Sequence, residues 1–200
     1  MAFPTFRTQA LTAGLLLLAS AAHAHTGHGT HSLMQGLTHP FGLDHLLAMV
    51  AVGVWSVSTL PTRQSWQGPA AFMLALLLGA ALSVQGLQAP YLEHAISLSV
   101  VLFGGMLMAV RQPLPKGVGL GLLAVAGSLH GLAHGAEAPT SGMAGYAAGF
   151  LLTTAALHAT GVLLARAIHR HWRARATLAV GAIGALMGGA GTFFLTQLAV

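Results

Sequence analysis

Hydrophobic positions are gathered into six long runs, and the polar positions between them form short connections. The runs cover residues 42–60, 68–88, 91–110, 117–135, 142–165 and 176–199. Each run is close to the roughly 20 residues with which an α-helix crosses about 30 Å of hydrocarbon. Because the connections are short, consecutive helices should lie antiparallel to one another. The pattern therefore predicts an all-α integral membrane protein, built as a bundle of six transmembrane helices.

A shorter apolar stretch precedes these runs and has the features of a signal peptide. Arg7 supplies a positive charge, Leu11 to Ala19 supply an apolar core, and Ala24 ends a small-x-small cleavage site. We therefore expect residues 1–24 to be a cleavable N-terminal signal peptide, with an uncleaved anchor as the alternative. In both cases the residues that follow would lie outside the cytoplasm.

The expected mature chain has two parts. Residues 25–40 would form a His-rich periplasmic segment, and residues 41–200 would form the six-helix transmembrane domain. Within the segment, His25 and His28 are candidate metal ligands, because closely spaced histidines on a flexible chain chelate transition metals. An unstructured tail without function is the alternative.

Composition narrows the class of protein. Hydrophobic residues make up 55% of the 200 residues and charged residues 6%, whereas soluble domains carry about 25% charged residues. Because six helices need nearly the whole chain, no ATPase or nucleic-acid-binding domain fits beside them. The net charge of +5 is better explained by membrane topology than by affinity for nucleic acid. Cysteine is absent, which excludes disulfides and thiolate metal sites.

Basic residues give the predicted bundle an orientation. Seven of the eight Lys and Arg residues fall in three connections on one side of a six-helix arrangement. They are Arg63, Arg111, Lys116, Arg166, Arg170, Arg173 and Arg175. Short loops rich in Lys and Arg stay in the cytoplasm. We therefore expect a multi-pass protein of the bacterial inner membrane, with the mature N-terminus and the C-terminus in the periplasm.

All three acidic residues of the chain fall at the outer ends of the predicted helices, beside histidines. The acidic residues are Asp44, Glu93 and Glu137, and the nearby histidines are His39, His45, His94, His130 and His134. An ionised side chain in an apolar helix is costly, and a bound cation compensates for that cost. Neutral imidazoles bind divalent transition metals. We predict a metal site in this outer layer, although His94 could instead join two helices and Glu137 could be a surface carboxylate.

The spacing of His130 and His134 by four residues places both on one face of a helix. It resembles the H-E-x-x-H motif of zinc proteases, but Gly131 stands where that motif has its catalytic glutamate. The pair can hold a metal ion, while hydrolysis would need another general base. His158 lies deeper, in the fifth predicted helix, and is a candidate for a second, inner station. A hydrogen bond between helices is the alternative for His158.

Two motifs make the chain similar to the HupE/UreJ family of nickel/cobalt permeases. The run from His39 to His45 resembles the first signature of the family, and the run from His130 to Glu137 resembles its H-x-x-x-H-G-x-E motif. The segments that contain Glu93 and His158 are also similar to family segments. The resemblance implies a permease, energy-independent or secondary, that takes up Ni²⁺ or Co²⁺ from the periplasm. It also implies supply of the metal to hydrogenase or urease maturation proteins.

The residues and the resemblance together predict transport of a divalent ion into the cytoplasm without ATP, without a permanent cofactor and without enzyme activity. Ni²⁺ or Co²⁺ is the expected cargo, and Zn²⁺ or Cu²⁺ stays open because imidazole suits all four ions. The alternatives are an intramembrane metal-dependent hydrolase and a non-transporting metal-binding accessory protein. The expected partners are the ion, the lipid bilayer and maturation proteins, with no nucleic acid. Glycines spaced by four leave a homo-oligomer open.

Overall fold

The computed structural model describes residues 32–198, and each regular element in that range is helical. The α-helices are α1 (Ser32–Thr38), α2 (Leu43–Thr59), α3 (Gln67–Val84), α4 (Leu92–Met108), α5 (Lys116–Ala136), α6 (Met143–His171) and α7 (Ala176–Leu198). Single 3₁₀ turns join some of them, at His39–Phe41, Thr62–Gln64 and Arg173–Arg175. The all-α prediction is confirmed for this part of the chain. The expected signal peptide, His25 and His28 lie outside the described residues.

The lengths of the helices decide which of them can cross a bilayer. Four stretches are long and apolar enough: Thr62–Val84, Lys116–Ala136, Met143–His171 and Arg173–Leu198. A fifth candidate is the pair Ser32–Phe41 and Leu43–Thr59, which bends by 76° between its halves. Helix α4 is apolar but has 17 residues, about 26 Å at 1.5 Å per residue. Residues 32–198 thus contain four or five candidate spans, and six crossings stay a prediction.

Large apolar side chains cover the outside of the bundle. Leu74, Leu163 and Leu186 expose 70%, 65% and 77% of their surface. Soluble monomers rarely leave extended apolar surface in water, and helices satisfy their backbone polar groups internally, as hydrocarbon requires. The several apolar helices and the apolar exterior of the bundle therefore indicate a multi-pass membrane protein.

Glycines on α5 form the face of this helix that packs closely against α3. A Cβ added at Gly127 would collide with the carbonyl oxygen of Phe72, and one at Gly131 would collide with that of Leu76. Small residues at this spacing let the backbones of two membrane helices approach closely. Because the glycine face is turned toward α3, His130 and His134 lie buried on a neighbouring face of α5.

Helix α1 lies against the beginning of α6. A Cβ added at Gly36 would collide with the carbonyl oxygen of Tyr146, and Thr153 Oγ1 donates a hydrogen bond of 2.8 Å to the carbonyl oxygen of Leu37. Packed helix therefore begins at Ser32, before the first apolar run. The hydrophobic pattern does not predict α1, because this helix is short and is stabilised by a close glycine contact rather than by a long apolar surface.

The connections that carry basic residues share one end of the bundle. Lys116 Nζ donates a hydrogen bond of 2.8 Å to Gln64 Oε1, which joins the start of α5 to the connection after α2. Ser58 Oγ lies 3.3 Å from Nε2 of His169, near the end of α6. The histidine-rich outer layer expected from the sequence lies away from this end.

Candidate metal centre

Three histidines from three different elements meet inside the bundle. His39 comes from the 3₁₀ turn before α2, His45 from the first turn of α2, and His134 from the last turns of α5. One ring nitrogen from each lies within 4.8 Å of the other two. A metal–imidazole bond is about 2.0–2.1 Å long. A small closing movement of the rings would therefore place all three nitrogens on one ion.

Asp44 lies behind His45 and orients its ring. Asp44 Oδ1 accepts the backbone N–H of His45 at 2.7 Å and lies 3.1 Å from His45 Nδ1. Because an ionised carboxylate can only accept, Nδ1 carries the ring hydrogen and the lone pair is on Nε2. His45 Nε2 is buried and has no hydrogen-bond partner among the described residues. Carboxylates in this position fix the tautomer of a metal-binding histidine and raise its basicity.

His39 has a carboxylate at the corresponding place. Glu137 Oε2 lies 3.5 Å from His39 Nδ1, and the Glu137 side chain is 47% exposed. The pair joins the 3₁₀ turn before α2 to the residue that follows α5. Glu137 therefore places negative charge beside the three histidines, on the side that is open to solvent.

His134 is the most enclosed member of the group. Its ring stacks on Phe150 with centroids 4.4 Å apart and 15° between the planes. Both ring nitrogens are buried and have no hydrogen-bond partner within residues 32–198. A buried polar group without a hydrogen bond lowers the stability of the fold by about 1–3 kcal/mol. A bound cation would offset part of this loss, because it would bind the lone pair of this imidazole.

His130 lies one turn below His134 on α5 and is fully buried. Its ring centroid is 4.6 Å from that of His45, and its Nε2 lies 3.1 Å from Ser99 Oγ on α4. The other nitrogen, Nδ1, is buried without a partner among the described residues. His130 therefore adjoins the three-histidine group from the interior side.

His158 lies deeper, on α6. Its Nδ1 is 3.2 Å from the carbonyl oxygen of Met49, which is one helical turn after His45 on α2. The ring of Phe72 is 5.5 Å from that of His130 and 5.2 Å from that of His158. Phe72 therefore contacts both histidines, and its ring links the outer histidines to the inner one.

An open cavity of about 470 Å³ lies beside His158. Its wall includes Ser65, Trp66, Met73 and Arg166, from the end of the bundle that carries the basic connections. Because the wall also includes Leu163, which is exposed on the outside of the bundle, the cavity is a recess in that surface and His158 lies at its buried side.

Glu93 and His94 are the predicted site residues that the structure leaves apart. Glu93 is exposed in the first turn of α4. His94 is half-buried, and its ring lies 5.7 Å from that of Tyr91. Neither belongs to the three-histidine group. Glu93 thus contributes a negative charge on the surface rather than a contact in the centre.

The structure adds residues that the sequence reasoning missed. Ser99, Phe72 and Phe150 contact the histidines directly, and Tyr146 lies with its ring 5.9 Å from that of His39. Of these residues only Ser99 could have been suspected from the sequence, because a hydroxyl in an apolar helix often forms a hydrogen bond to a neighbouring helix. Nothing in the spacing of the aromatic residues separates them from ordinary core residues.

The donor set determines what this centre can bind. Imidazole nitrogens suit borderline divalent ions such as Ni²⁺, Co²⁺ and Zn²⁺, whereas thiolates, which hold soft ions tightly, are absent from the chain. The carboxylates orient His39 and His45 from behind. The arrangement is therefore suited to reversible binding of a divalent transition metal.

Comparison with known proteins identifies the family of the chain. The chain matches the family described as HupE / UreJ protein over residues 13–194. It is also 43% identical over 156 residues to Protein HupE of Rhizobium leguminosarum bv. viciae, which covers 77% of this chain and 81% of that protein. No solved structure matches the chain. The resemblance predicted from the two histidine motifs is thereby confirmed: the chain belongs to the HupE/UreJ family.

Proposed function

We propose that this protein is a permease that carries a divalent transition metal, Ni²⁺ or Co²⁺, from the periplasm to the cytoplasm without ATP. It would do so as a six-helix bundle of the bacterial inner membrane, with both termini of the mature chain in the periplasm. The metal would then supply hydrogenase or urease maturation proteins.

The observation that carries the proposal is the three-histidine group of His39, His45 and His134. Its ring nitrogens lie within 4.8 Å of one another, inside a bundle whose exterior is apolar. His45 Nε2 and both ring nitrogens of His134 are buried without a hydrogen-bond partner among the described residues, which is unfavourable in such a bundle. A metal ion that binds there in passing would be their partner.

A path for the ion follows from the order of the buried histidines. The ion would be attracted by Glu137 and bound by the three-histidine group, and His130 would receive it next. It would then pass Phe72, reach His158 and leave at the end of the bundle that carries the basic connections. Conduction needs sites that bind strongly enough to admit an ion and weakly enough to release it. A series of neutral nitrogen donors without thiolates meets that need.

Two other functions use the same residues. A hydrolase needs a general base beside a metal-bound water, yet the position that carries it in zinc proteases is Gly131, which packs against the backbone of Leu76 with no room for a side chain. This contact favours binding and release over hydrolysis. A non-transporting accessory protein would bind the metal but would not move it across the membrane.

Uptake of metal into proteoliposomes tests the proposal. Purified protein would be reconstituted, and uptake of Ni²⁺, Co²⁺, Zn²⁺ and Cu²⁺ would be followed with and without a pH gradient. We expect uptake of Ni²⁺ or Co²⁺ that falls to the level of empty liposomes with His45→Ala or His134→Ala. His171→Ala is the matched control, because His171 is exposed at the end of α6. Binding without uptake would favour the accessory role, and undiminished uptake in both site variants would refute the proposal.

A further inference from the structure

Ser99 contacts two groups at once with a single hydroxyl. Its Oγ lies 2.6 Å from the carbonyl oxygen of Ile96 and 3.1 Å from His130 Nε2. Two oxygens approach to 2.6 Å when a hydrogen lies between them, so the hydroxyl donates its one hydrogen to Ile96. The oxygen of Ser99 can then only accept from His130. It follows that His130 Nε2 carries the ring hydrogen.

This tautomer places the lone pair of His130 on Nδ1. Nδ1 is buried and has no hydrogen-bond partner among the described residues. The neighbouring ring of His45, 4.6 Å away between centroids, presents its own lone pair on Nε2 because its Nδ1 faces Asp44. The two adjacent rings thus each hold one buried, unused lone pair.

His130 lies outside the three-histidine group, so it offers a donor atom beyond that group. The opposite tautomer would place a hydrogen on Nδ1 and would turn the lone pair toward Ser99. An imidazole nitrogen that carries a hydrogen cannot bind a metal. Whether His130 can take the ion therefore depends on the hydroxyl of Ser99.

We propose that Ser99 is a positioning residue that holds His130 in the Nε2–H tautomer, so that His130 Nδ1 receives a divalent transition metal from the three-histidine group. The proposal rests on the proposed function and adds to it a second binding station with a defined donor atom. The hydrogen bond between Ser99 and His130 Nε2 fixes the tautomer of His130, as Asp44 fixes the tautomer of His45.

Nitrogen NMR of the protein in lipid bilayers tests the tautomer directly. Histidine would be labelled with ¹⁵N, and the His130 signals would be identified by their loss in His130→Gln. We expect a protonated Nε2 and an unprotonated Nδ1 in the unmodified protein and in Ser99→Thr, which keeps the hydroxyl. In Ser99→Ala we expect a second population with Nδ1 protonated. A protonated Nδ1 in the unmodified protein would overturn the proposal even if no variant folded.

Metal affinity tests the consequence for binding. We expect Ser99→Ala to weaken Ni²⁺ binding at the His130 station about 10–100-fold, the usual effect of removing a group behind a metal ligand, and Ser99→Thr to restore most of it. Ser97→Ala is the matched control, since Ser97 is a buried serine two residues away on the same helix. Equal affinity in Ser99→Ala and Ser97→Ala would overturn the proposal. Absence of Ni²⁺ uptake by the unmodified protein would instead refute the permease function, because the tautomer and the affinity are measured without transport.

Discussion

The carboxylate of Asp44 lies 3.1 Å from Nδ1 of His45 and accepts the backbone N–H of the same residue at 2.7 Å. Both contacts come from one oxygen, Oδ1: the backbone contact fixes the carboxylate against the helix, and the ring contact holds the imidazole with its Nε2 buried in the bundle. Asp44 would therefore act on a bound metal through His45. Glu137 lies beside His39 in a comparable way, at 3.5 Å, so two of the three grouped histidines have a carboxylate behind them.

Removal of the Asp44 carboxylate should weaken metal capture more than it weakens the fold. In Asp44→Ala the ring of His45 loses its orienting partner, and we expect Ni²⁺ affinity to fall about 10–100-fold. Calorimetric titration of the detergent-solubilised protein measures this change, with His171→Ala as the control. If thermal stability without metal fell together with affinity, the role of Asp44 would be structural.

Bound metal should raise the thermal stability of the folded protein. A ligand at 100 times its Kd stabilises the native state by about 2.7 kcal/mol, provided that it does not bind the unfolded chain. We expect Ni²⁺ to raise the melting temperature of the unmodified protein and chelator to reverse the rise. The shift should disappear in His134→Gln and persist in His171→Ala. A shift that survives in His134→Gln would place the ion elsewhere.

The contact between α3 and α5 should tolerate no side chain at Gly131. A Cβ there would collide with the backbone of Leu76, and overpacking of this kind costs about 1–3 kcal/mol. Gly131→Ala should therefore lower stability, as followed by thermal unfolding in detergent. Gly121→Ala on the same helix has open space around its Cβ and should be neutral or stabilising, because alanine favours helix by up to about 1 kcal/mol. The reverse order of stability would contradict the packing described for α5.

Substitution of His158 should separate transport from capture. His158 lies one turn below the level of His45 and contacts Phe72 rather than the three-histidine group. We expect His158→Ala to reduce Ni²⁺ flux into proteoliposomes at least tenfold, while the affinity measured by equilibrium titration changes less than twofold. An equal loss of affinity and flux would mean that His158 belongs to the outer site.

Much of this architecture could be predicted from the residues. The apolar runs located α2 to α7, because hydrophobic length is a strong signal for helices in a bilayer. The spacing of His130 and His134 showed that they share one face of a helix. The pairing of Asp44 with His45 indicated a metal site, although it could not show that Asp44 stands behind the ligand.

Other features depend on how the helices pack, which one sequence does not reveal. Helix α1 has seven residues, too few for a strong hydrophobic pattern, and is held by the contact of Gly36 with Tyr146. Glu93 looked equivalent to the other acids in chain position, but α4 places it on the surface. Ser99 reaches His130 only because α4 and α5 bring together residues that are 31 positions apart.

The central claim is that His39, His45 and His134 bind one divalent metal ion through their ring nitrogens. X-ray absorption of the Ni²⁺-loaded protein measures this directly, because imidazole ligands give a characteristic scattering pattern. We expect about three imidazole nitrogens near 2.0–2.1 Å, with one fewer in His45→Ala and no change in His171→Ala. A shell of oxygens alone, unaltered by His45→Ala, would contradict it.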